Sequence, residues 1–392
     1  MFFLESLFIL LAFALFIPIG FLFVEFLATL FPFQSNCIIN QPIRPSATIL
    51  IPAHNEAKVI TQCLNSLLPQ LTDKDKVIVI ADNCTDNTVD IVKNKGLTVI
   101  ERQNNEQRGK GYAIDYGLKY LATHPPDIVV ILDADCIITP QSLNALILSS
   151  YTQQKPIQGT YLMQTTANFS VNDRISALAI LVKNFVRSYG LKKLNSPCLL
   201  NGSGMAFPWS IISQVSTANC QTVDDMQLTV DFALLGYPPR YCPEAKIMGR
   251  LMEYEDAKSQ RNRWEHGHLY QIFNQVPCLL IAAIKQQRLE LFILALELAI
   301  PPLSILVILW FITASLSLNL TIIGLIKYSV WFLLGEGFLL FISIIGSWYE
   351  YGRDILPARI LLVIPKYIIW KLPIYFDFFY QNKAVWNRTE RD

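Results

Sequence analysis

The sequence predicts an α/β protein: a doubly wound, mostly parallel sheet flanked by transmembrane and interfacial α-helices. Three observations predict it. Short β-branched runs alternate with helical patterns between residues 45 and 275. Long apolar stretches lie on both sides of that region. Within it, Ile128-Val129-Val130-Ile131-Leu132 runs straight into Asp133-Ala134-Asp135. A short continuous apolar run reads as a strand buried on both faces of a parallel sheet. Ligands of such sheets sit outside the carboxyl ends of the strands, which puts Asp133 and Asp135 at the rim of a cleft. Alternate residues of an extended segment can aim at one hard cation and leave its other positions open for phosphate oxygens. The bland alternative is a strand ending in solvated turn residues.

The chain has 392 residues, 52% hydrophobic and only 16% charged, with a net charge of +1. The apolar residues are clumped, and the near-neutral charge argues against nucleic acid as a partner. Eight scattered cysteines contain no Cys-x-x-Cys pair. That suggests neither a zinc site nor a disulfide framework, and it fits a reducing, cytosolic setting for the polar part. Residues 6–33 are almost unbroken apolar sequence with Glu25 as the only charge, longer than the ~20 residues that span a bilayer. The start lacks Lys and Arg, so residues 1–33 read as an uncleaved anchor rather than a signal peptide, followed by a linker over 34–46.

Two further spans are expected at 291–318, interrupted by Pro301-Pro302, and at 320–346, containing Lys327 and Glu336. An interfacial linker over 276–290 precedes them. The stretch 355–380 carries Arg359, Lys366 and Lys371 with Pro357, Pro365 and Pro373, which suits an amphipathic segment at the interface better than a spanning helix. Three spans put the N-terminus outside, and residues 47–275 and the tail 381–392 inside the plasma or inner membrane. Lys285, Arg288, Arg353, Arg388 and Arg391 then all fall on the cytoplasmic side.

The middle region reads in order as strand 47–52, helix 57–68, strand 77–81, helix 88–95, strand 97–100, a helix opened by Arg108-Gly109-Lys110-Gly111, and strand 128–132. This βαβ rhythm predicts the parallel sheet. The loops at the strand ends offer Glu56, Asp82, Asp86, Lys110, Asp133 and Asp135. A nucleotide needs acceptors for base and ribose and cations for its phosphates, and consecutive βα loops supply both. Asp86 and Asn87 read better as caps. Gly109 and Gly111 let backbone approach a phosphate closely. Neither Gly-x-x-x-x-Gly-Lys-Ser/Thr nor Gly-x-Gly-x-x-Gly is present, which disfavours phosphate-loop NTPases and dinucleotide oxidoreductases.

Further on, 158–162 reads as a strand, 171–193 as a helix, and Leu199 to Phe207 as a strand interrupted by Gly202 and Gly204. Glycines there mark either a close approach to backbone or a sheet bend. Asp224-Asp225 opens a helix, where acids cap or serve as a general base. Gln260, Arg263 and Trp264 share one helix face. Arg suits phosphate and Trp suits a sugar or base.

Four ordered signatures carry a resemblance: Pro52-Ala53-His54-Asn55-Glu56, Asp133-Ala134-Asp135, Val223-Asp224-Asp225 and Gln260-x-x-Arg263-Trp264. Together they resemble the membrane-embedded family 2 glycosyltransferases, such as cellulose, hyaluronan and poly-N-acetylglucosamine synthases and ceramide glucosyltransferases. The resemblance implies a GT-A-like nucleotide-sugar transferase fold and an inverting hexosyl transfer from a UDP-sugar to a glycan or lipid acceptor at the bilayer. Glu56 and Asp82 would hold the uridine, with Ala53 beside it, and Lys110 the diphosphate. Asp133 and Asp135 would line the donor site, Asp135 as the direct ligand of Mg²⁺ or Mn²⁺. Asp225, beside Asp224, would be the base. Gln260, Arg263 and Trp264 would close over diphosphate and acceptor, and Gly202, Ser203 and Gly204 would lie near the acceptor sugar. Co-subunits for export are compatible with that group. The chain departs in having Asp224 where the family more often has Glu, and in showing fewer membrane segments than the larger polymer synthases. An inactive nucleotide-binding scaffold and a metal-dependent nucleotidyltransferase are the competing readings.

Overall fold

The computed structural model describes residues 2–32, 44–164, 170–218, 224–250 and 254–380. The chain divides into two compact units. Met1–Phe33, Thr165–Asn195 and His268–Lys383 form one; Gln34–Gln164, Ser196–Gly267 and Ala384–Asp392 form the other. The elements begin with α1 (Phe2–Leu30), β1 (Ala47–Ala53), α2 (Ile60–Leu67), β2 (Asp75–Asp82), α3 (Thr88–Asn94), β3 (Thr98–Arg102), α4 (Lys110–Leu121) and β4 (Ile128–Ile131). They continue with β5 (Ile137–Ile138), α5 (Ser142–Gln153), β6 (Ile157–Met163), α6 (Val171–Leu181), α7 (Ser188–Lys193), β7 (Met205–Pro208), α8 (Trp209–Ile212), α9 (Asp224–Leu234) and β8 (Arg240–Gly249). The chain then forms α10 (Tyr254–Gln286), α11 (Leu289–Ala299), α12 (Leu303–Ile322), α13 (Ser329–Ser347), α14 (Ala358–Leu361) and α15 (Ile364–Tyr380).

One unit is built on an eight-stranded sheet in the order β3-β2-β1-β4-β7-β6-β8-β5. The pairs β1–β2, β2–β3, β1–β4 and β6–β8 are parallel. The pairs β4–β7, β6–β7 and β5–β8 are antiparallel. The parallel half is fully covered. Ile49, Ile51, Val77, Val79 and Val130 point to the face packed by Ile60 and Leu64 of α2 and Leu146 of α5. Leu50, Ile78, Ile80, Val129 and Ile131 point to the face packed by Ile114 and Leu118 of α4 and Phe232 of α9. Alternate residues of each strand thus bury on opposite faces, and every residue of β4 is 0% exposed. This explains why β4 carries no polar residue until the sheet ends.

Two predicted strands are shorter than expected. β4 stops at Ile131, and Asp133 and Asp135 stand on a turn rather than on extended chain. Of the stretch 199–207, only Met205 onward pairs. Gly202 and Gly204 before it have φ of +87° and +67°, which no strand tolerates. β7 also makes the sheet mixed at its centre, by lying antiparallel between β4 and β6.

The other unit is helical. Among the described residues, three helices are long and apolar enough to cross a membrane: Phe2–Leu30, Leu303–Ile322 and Ser329–Gly352. The expected helix at 291–318 is two helices, because Pro301-Pro302 lacks the donors to continue and α11 ends at Ala299. The expected span at 320–346 starts later: α12 runs to Ile322, and the chain turns through Gly324 at φ +78° before α13. The stretch 276–290 is no linker over most of its length, since α10 continues through Pro277 to Gln286. The stretch 171–193 belongs to the helical unit and not to the sheet; a π-helical turn, Val182–Arg187, joins α6 to α7.

Contacts fix the directions of the three long helices. Glu5 of α1 accepts the backbone N–H groups of Lys327, Tyr328 and Ser329 at 2.5, 3.1 and 2.9 Å, capping α13. At the other end the Phe26 ring lies against Gly346. So α1 and α13 run parallel. Ser317 of α12 meets Ser329 at 3.2 Å, and Trp310 Nε1 donates to the Leu333 carbonyl at 2.7 Å, so α12 runs antiparallel to both. Leu30, Leu303 and Ser347 therefore lie at one end of the bundle.

A Cβ on Gly190 would stand 2.1 Å from the Glu25 carbonyl oxygen, whereas one on Gly335 would meet nothing within 4 Å. Backbone cannot yield as a flexible side chain does, so Gly190→Ala is expected to cost at least about 1–3 kcal/mol. Gly335→Ala is expected to leave the melting temperature of the full-length protein unchanged. Equal melting temperatures for the two variants would contradict this packing.

Candidate active site

In the order β3-β2-β1-β4, the chain steps outward on both sides of β1. Such a reversal opens a crevice at the carboxyl ends of the strands. The loops after β1, β2 and β4 meet there.

The first two loops are stapled to each other. Asn55, at φ +53°, accepts the Thr85 N–H at 2.8 Å and donates to the Thr85 hydroxyl at 3.1 Å. The Glu56 N–H donates to Thr88 Oγ1 at 2.8 Å, and Glu56 is 7% exposed. Asp86 accepts the Ala57 N–H at 3.0 Å and both the N–H and hydroxyl of Thr88. Burial works against its charge, but the hydrogen bonds from Thr88 and Ala57 outweigh it and hold the Asp86 carboxyl below the usual range. Asp86 is thus a loop staple, matching the capping reading. Ala53 ends β1 and is buried, its carbonyl facing Cys84 Sγ at 3.4 Å.

Asp82 has a partner that sequence reasoning missed. Arg102 Nη1 lies 2.6 Å from Asp82 Oδ1, and both side chains are less than 10% exposed. Arg102 Nη2 donates to the Gln107 carbonyl at 2.7 Å, so it also ties down the loop leading to Lys110. The pairing follows from register, since Arg102 stands opposite Asp82 across β3 and β2. A strand ending in a cation was the available signal, but only pairing shows which carboxylate it meets. His54, part of the first signature, reaches the same strand end. Its Nδ1 sits 2.5 Å from the Asp82 carbonyl, and its Nε2 is buried without a hydrogen-bond partner.

The acidic cluster follows β4. The Cys136 N–H closes the turn on the Asp133 carbonyl at 3.1 Å. Ser203, fully buried, accepts the Asp133 N–H at 3.0 Å and donates to Cys136 Sγ at 3.4 Å. Lys110 Nζ forms a close ion pair with Asp133 and donates to the Gly202 carbonyl at 2.6 Å. A Cβ on Gly202 would lie 3.6 Å from Asp225 Oδ2 and 3.7 Å from Lys110 Nζ. Lys110, Asp133, Gly202, Ser203 and Asp225 thus converge from four separate stretches. Thr229 accepts the Leu200 N–H and donates to the Asp225 carbonyl, each at 2.9 Å, which locks the first turn of α9 onto this strand-like segment.

The electrostatics ask for a cation. Burial, then the neighbouring Asp133, pushes Asp135 up to about 6. Burial opposes the Lys110 charge, but Asp133 and then Asp225 raise its affinity for the proton. Oxygen atoms of Asp133 and Asp135 and Cys136 Sγ lie within 4.8 Å of one another. Burial raises the Cys136 thiol well above its usual range, and the thiol donates to Asp135 Oδ1 at 3.5 Å. Hard cations choose carboxylate oxygen over such a sulfur, so the donor set that fits Mg²⁺ or Mn²⁺ is the Asp133–Asp135 pair.

Gly204 packs tightly against β8, where a Cβ would stand 2.3 Å from Ile247 Cδ1. Arg263 and Trp264 are partly buried on α10. The side chains of Asp224 and Gln260 lie outside the described residues, although both positions are helical.

Fold and site together define a GT-A transferase. The profile described as glycosyl transferase family 2 matches residues 48–161, and that of glycosyl transferase family group 2 matches residues 128–345. The second covers more than half of the chain, which therefore belongs to the family 2 glycosyltransferases. It is 27% identical over 238 residues to a probable glycosyltransferase, YdaM, of Bacillus subtilis (strain 168), covering 58% of this chain and 56% of that one. It is 25% identical over 264 residues to poly-beta-1,6-N-acetyl-D-glucosamine synthase of Staphylococcus aureus (strain COL), covering 64% and 60%. The match therefore spans under two thirds of these relatives. Among solved structures it resembles the mannosyltransferase PcManGT from Pyrobaculum calidifontis, in complex with GDP-Man and Mn²⁺. That likeness has a TM-score of 0.55 at 18% identity and covers 89% of this chain and 99% of that one.

Removing Arg102 strands a buried carboxylate. Arg102→Met is expected to destabilise the full-length protein by about 3–5 kcal/mol, read by thermal or chemical denaturation. An unchanged midpoint would show that Asp82 does not depend on Arg102.

Proposed function

We propose that the chain is a metal-dependent, inverting glycosyltransferase of the membrane. It moves a hexose or N-acetylhexosamine from a UDP-sugar to a glycan or lipid acceptor, for polysaccharide or glycolipid synthesis. The convergence of Lys110, Asp133 and Asp225 on Gly202 at the sheet's reversal point carries this reading. It joins a phosphate-binding cation, a donor-site carboxylate and a candidate base within one crevice. The likeness to the Staphylococcus aureus poly-beta-1,6-N-acetyl-D-glucosamine synthase supports N-acetylglucosamine as the sugar and a β-linked product.

In this reading Ala53, Glu56 and Asp82 face the nucleoside, with Asp82 held still by Arg102. Lys110 leaves its pairing with Asp133 to meet the donor diphosphate. Asp135 and Asp133 would hold Mg²⁺ or Mn²⁺, which would supply positive charge for the leaving diphosphate. Asp225 takes the proton of the acceptor hydroxyl as its oxygen bonds to the anomeric carbon. The bond from that carbon to the diphosphate breaks on the opposite face, and UDP leaves with the electron pair. An α-linked donor thus gives a β-linked product. Gly202 leaves the space between Asp225 and Lys110 open for the acceptor, with Ser203 and Gly204 shaping its floor. Asp224, Gln260, Arg263 and Trp264 are assigned to the acceptor and diphosphate side. Lys285, Arg288 and Arg353, which flank the apolar helices, support a cytoplasmic catalytic unit.

Incubating membranes with UDP-sugars tests the class: UDP release with labelled product supports glycosyl transfer, pyrophosphate marks a nucleotidyltransferase, and neither marks an inactive scaffold. Asp225→Asn is expected to bind UDP-sugar as the parent does while transferring about 10²–10⁴-fold more slowly; full turnover would remove Asp225 as base. Chelation with EDTA is expected to abolish transfer, with Mg²⁺ or Mn²⁺ restoring it in the parent but not in Asp135→Asn.

A further inference from the structure

The helical unit contains a charge cluster that glycosyl transfer does not use. Glu25 of α1, Arg187 at the end of the π-helical turn and Glu297 of α11 meet there, each at most 2% exposed. Arg187 Nη2 lies 2.7 Å from Glu297 Oε2 and donates to the Glu297 carbonyl, also at 2.7 Å. Arg187 Nε lies 3.3 Å from Glu297 Oε2 and 3.4 Å from Glu25 Oε2. Glu297 takes the well-made contacts, and Glu25 has only the long one. Both Glu25 oxygens are buried without a hydrogen-bond partner. The backbone leaves little slack, since Gly190 presses on the Glu25 carbonyl.

Two carboxylates on one guanidinium leave one negative charge in a dry site, which is strongly unfavourable. The described neighbours that carry or could carry charge are few. His268 Nε2 faces the Leu298 carbonyl at 3.2 Å, and burial, then Lys183 and Arg187, lower its proton affinity well below the usual range, which disfavours a charged ring. Lys193 of α7 donates to the Thr29 carbonyl at 2.9 Å, beyond Glu25. Glu336 of α13 is buried, but the Glu5–Ser329 and Phe26–Gly346 contacts place it beside the middle of α1. Lys183, partly buried on the π-helical turn, is a further cation nearby, and its charge also reaches His268.

We propose that this cluster is a proton-binding site: Glu25 carries one proton and donates it to the Glu297 carboxylate, making a neutral clamp that joins α1, the π-helical turn and α11. The O–H satisfies the Glu25 oxygens and leaves Glu297 as the sole counter-charge of Arg187. Ionisable groups at membrane level and π-helical turns both concentrate at functional positions. Raising the pH strips the proton, restores the buried negative charge and loosens the clamp. The helical unit is then most stable on the acid side of that step.

The test uses the full-length protein in lipid nanodiscs and does not depend on the transferase reading. Wild type is expected to melt at falling temperature as pH rises, and to show an infrared band of a buried protonated carboxyl. Glu25→Gln, which copies the neutral acid, is expected to keep the neutral-pH melting temperature, flatten the pH dependence and lose the band. Glu297→Gln is expected to melt lower at every pH. A wild type without the band, or a Glu25→Gln that melts as low as Glu297→Gln, overturns the proposal. So does stabilisation by NaCl or KCl over choline chloride without the band, which would place an alkali cation in the site. A Lys183→Met that copies Glu297→Gln, in a wild type with no pH dependence, assigns the charge to Lys183 and overturns it too.

Discussion

At the end of β4, carboxylates accumulate around the Lys110 ammonium. Asp133 pairs with Lys110, Asp135 stands beside it, and Asp225 approaches from α9. Like charges at this spacing repel, and β4 is buried on both faces, so water screens them poorly. The fold contains that repulsion by placing the cluster at a strand end, where the crevice opens. Backbone groups share the load: the Gly202 carbonyl takes Lys110, and the buried Ser203 hydroxyl anchors Asp133 and Cys136. A site so rich in negative charge is prepared for a divalent cation and for the phosphates that a cation brings.

Asp82 is handled differently. Its carboxylate is neutralised by Arg102 and held rigid, and Arg102 also fixes the loop before Lys110. One guanidinium thereby links the second strand end to the third. The contrast sorts the acids of the crevice: Asp82 pairs with a buried guanidinium, Asp86 is spent on loop hydrogen bonds, and Asp133 pairs with Lys110 beside Asp135. In the helical unit Glu25 and Glu297 likewise gather on one guanidinium, that of Arg187, but deep in packing rather than at a rim.

Much of this was legible in the residues. β1, β2 and β4 are β-branched runs whose type needs no tertiary information, because burial on both faces demands unbroken apolar sequence. Lys110, Asp133 and Asp225 were picked out because charged residues next to strand ends and helix starts are few. The apolar stretch 291–318 was misjudged because hydropathy averages across Pro301-Pro302, while backbone hydrogen bonding does not. The stretch 171–193 was assigned to the wrong unit because an amphipathic helix does not say which apolar surface it covers.

The sequence by itself determined the strand–helix alternation, the apolar helices and the identities of most candidate acids, since each follows from local composition and short-range periodicity. Only the tertiary structure decided partnership. The central antiparallel strand β7, the pairing of Arg102 with Asp82, the approach of Asp225 to Lys110 across Gly202 and the meeting of Glu25, Arg187 and Glu297 all join distant residues. The reason is physical: the cost of a buried charge depends on what stands within a few ångströms of it, and chain order carries no such distances.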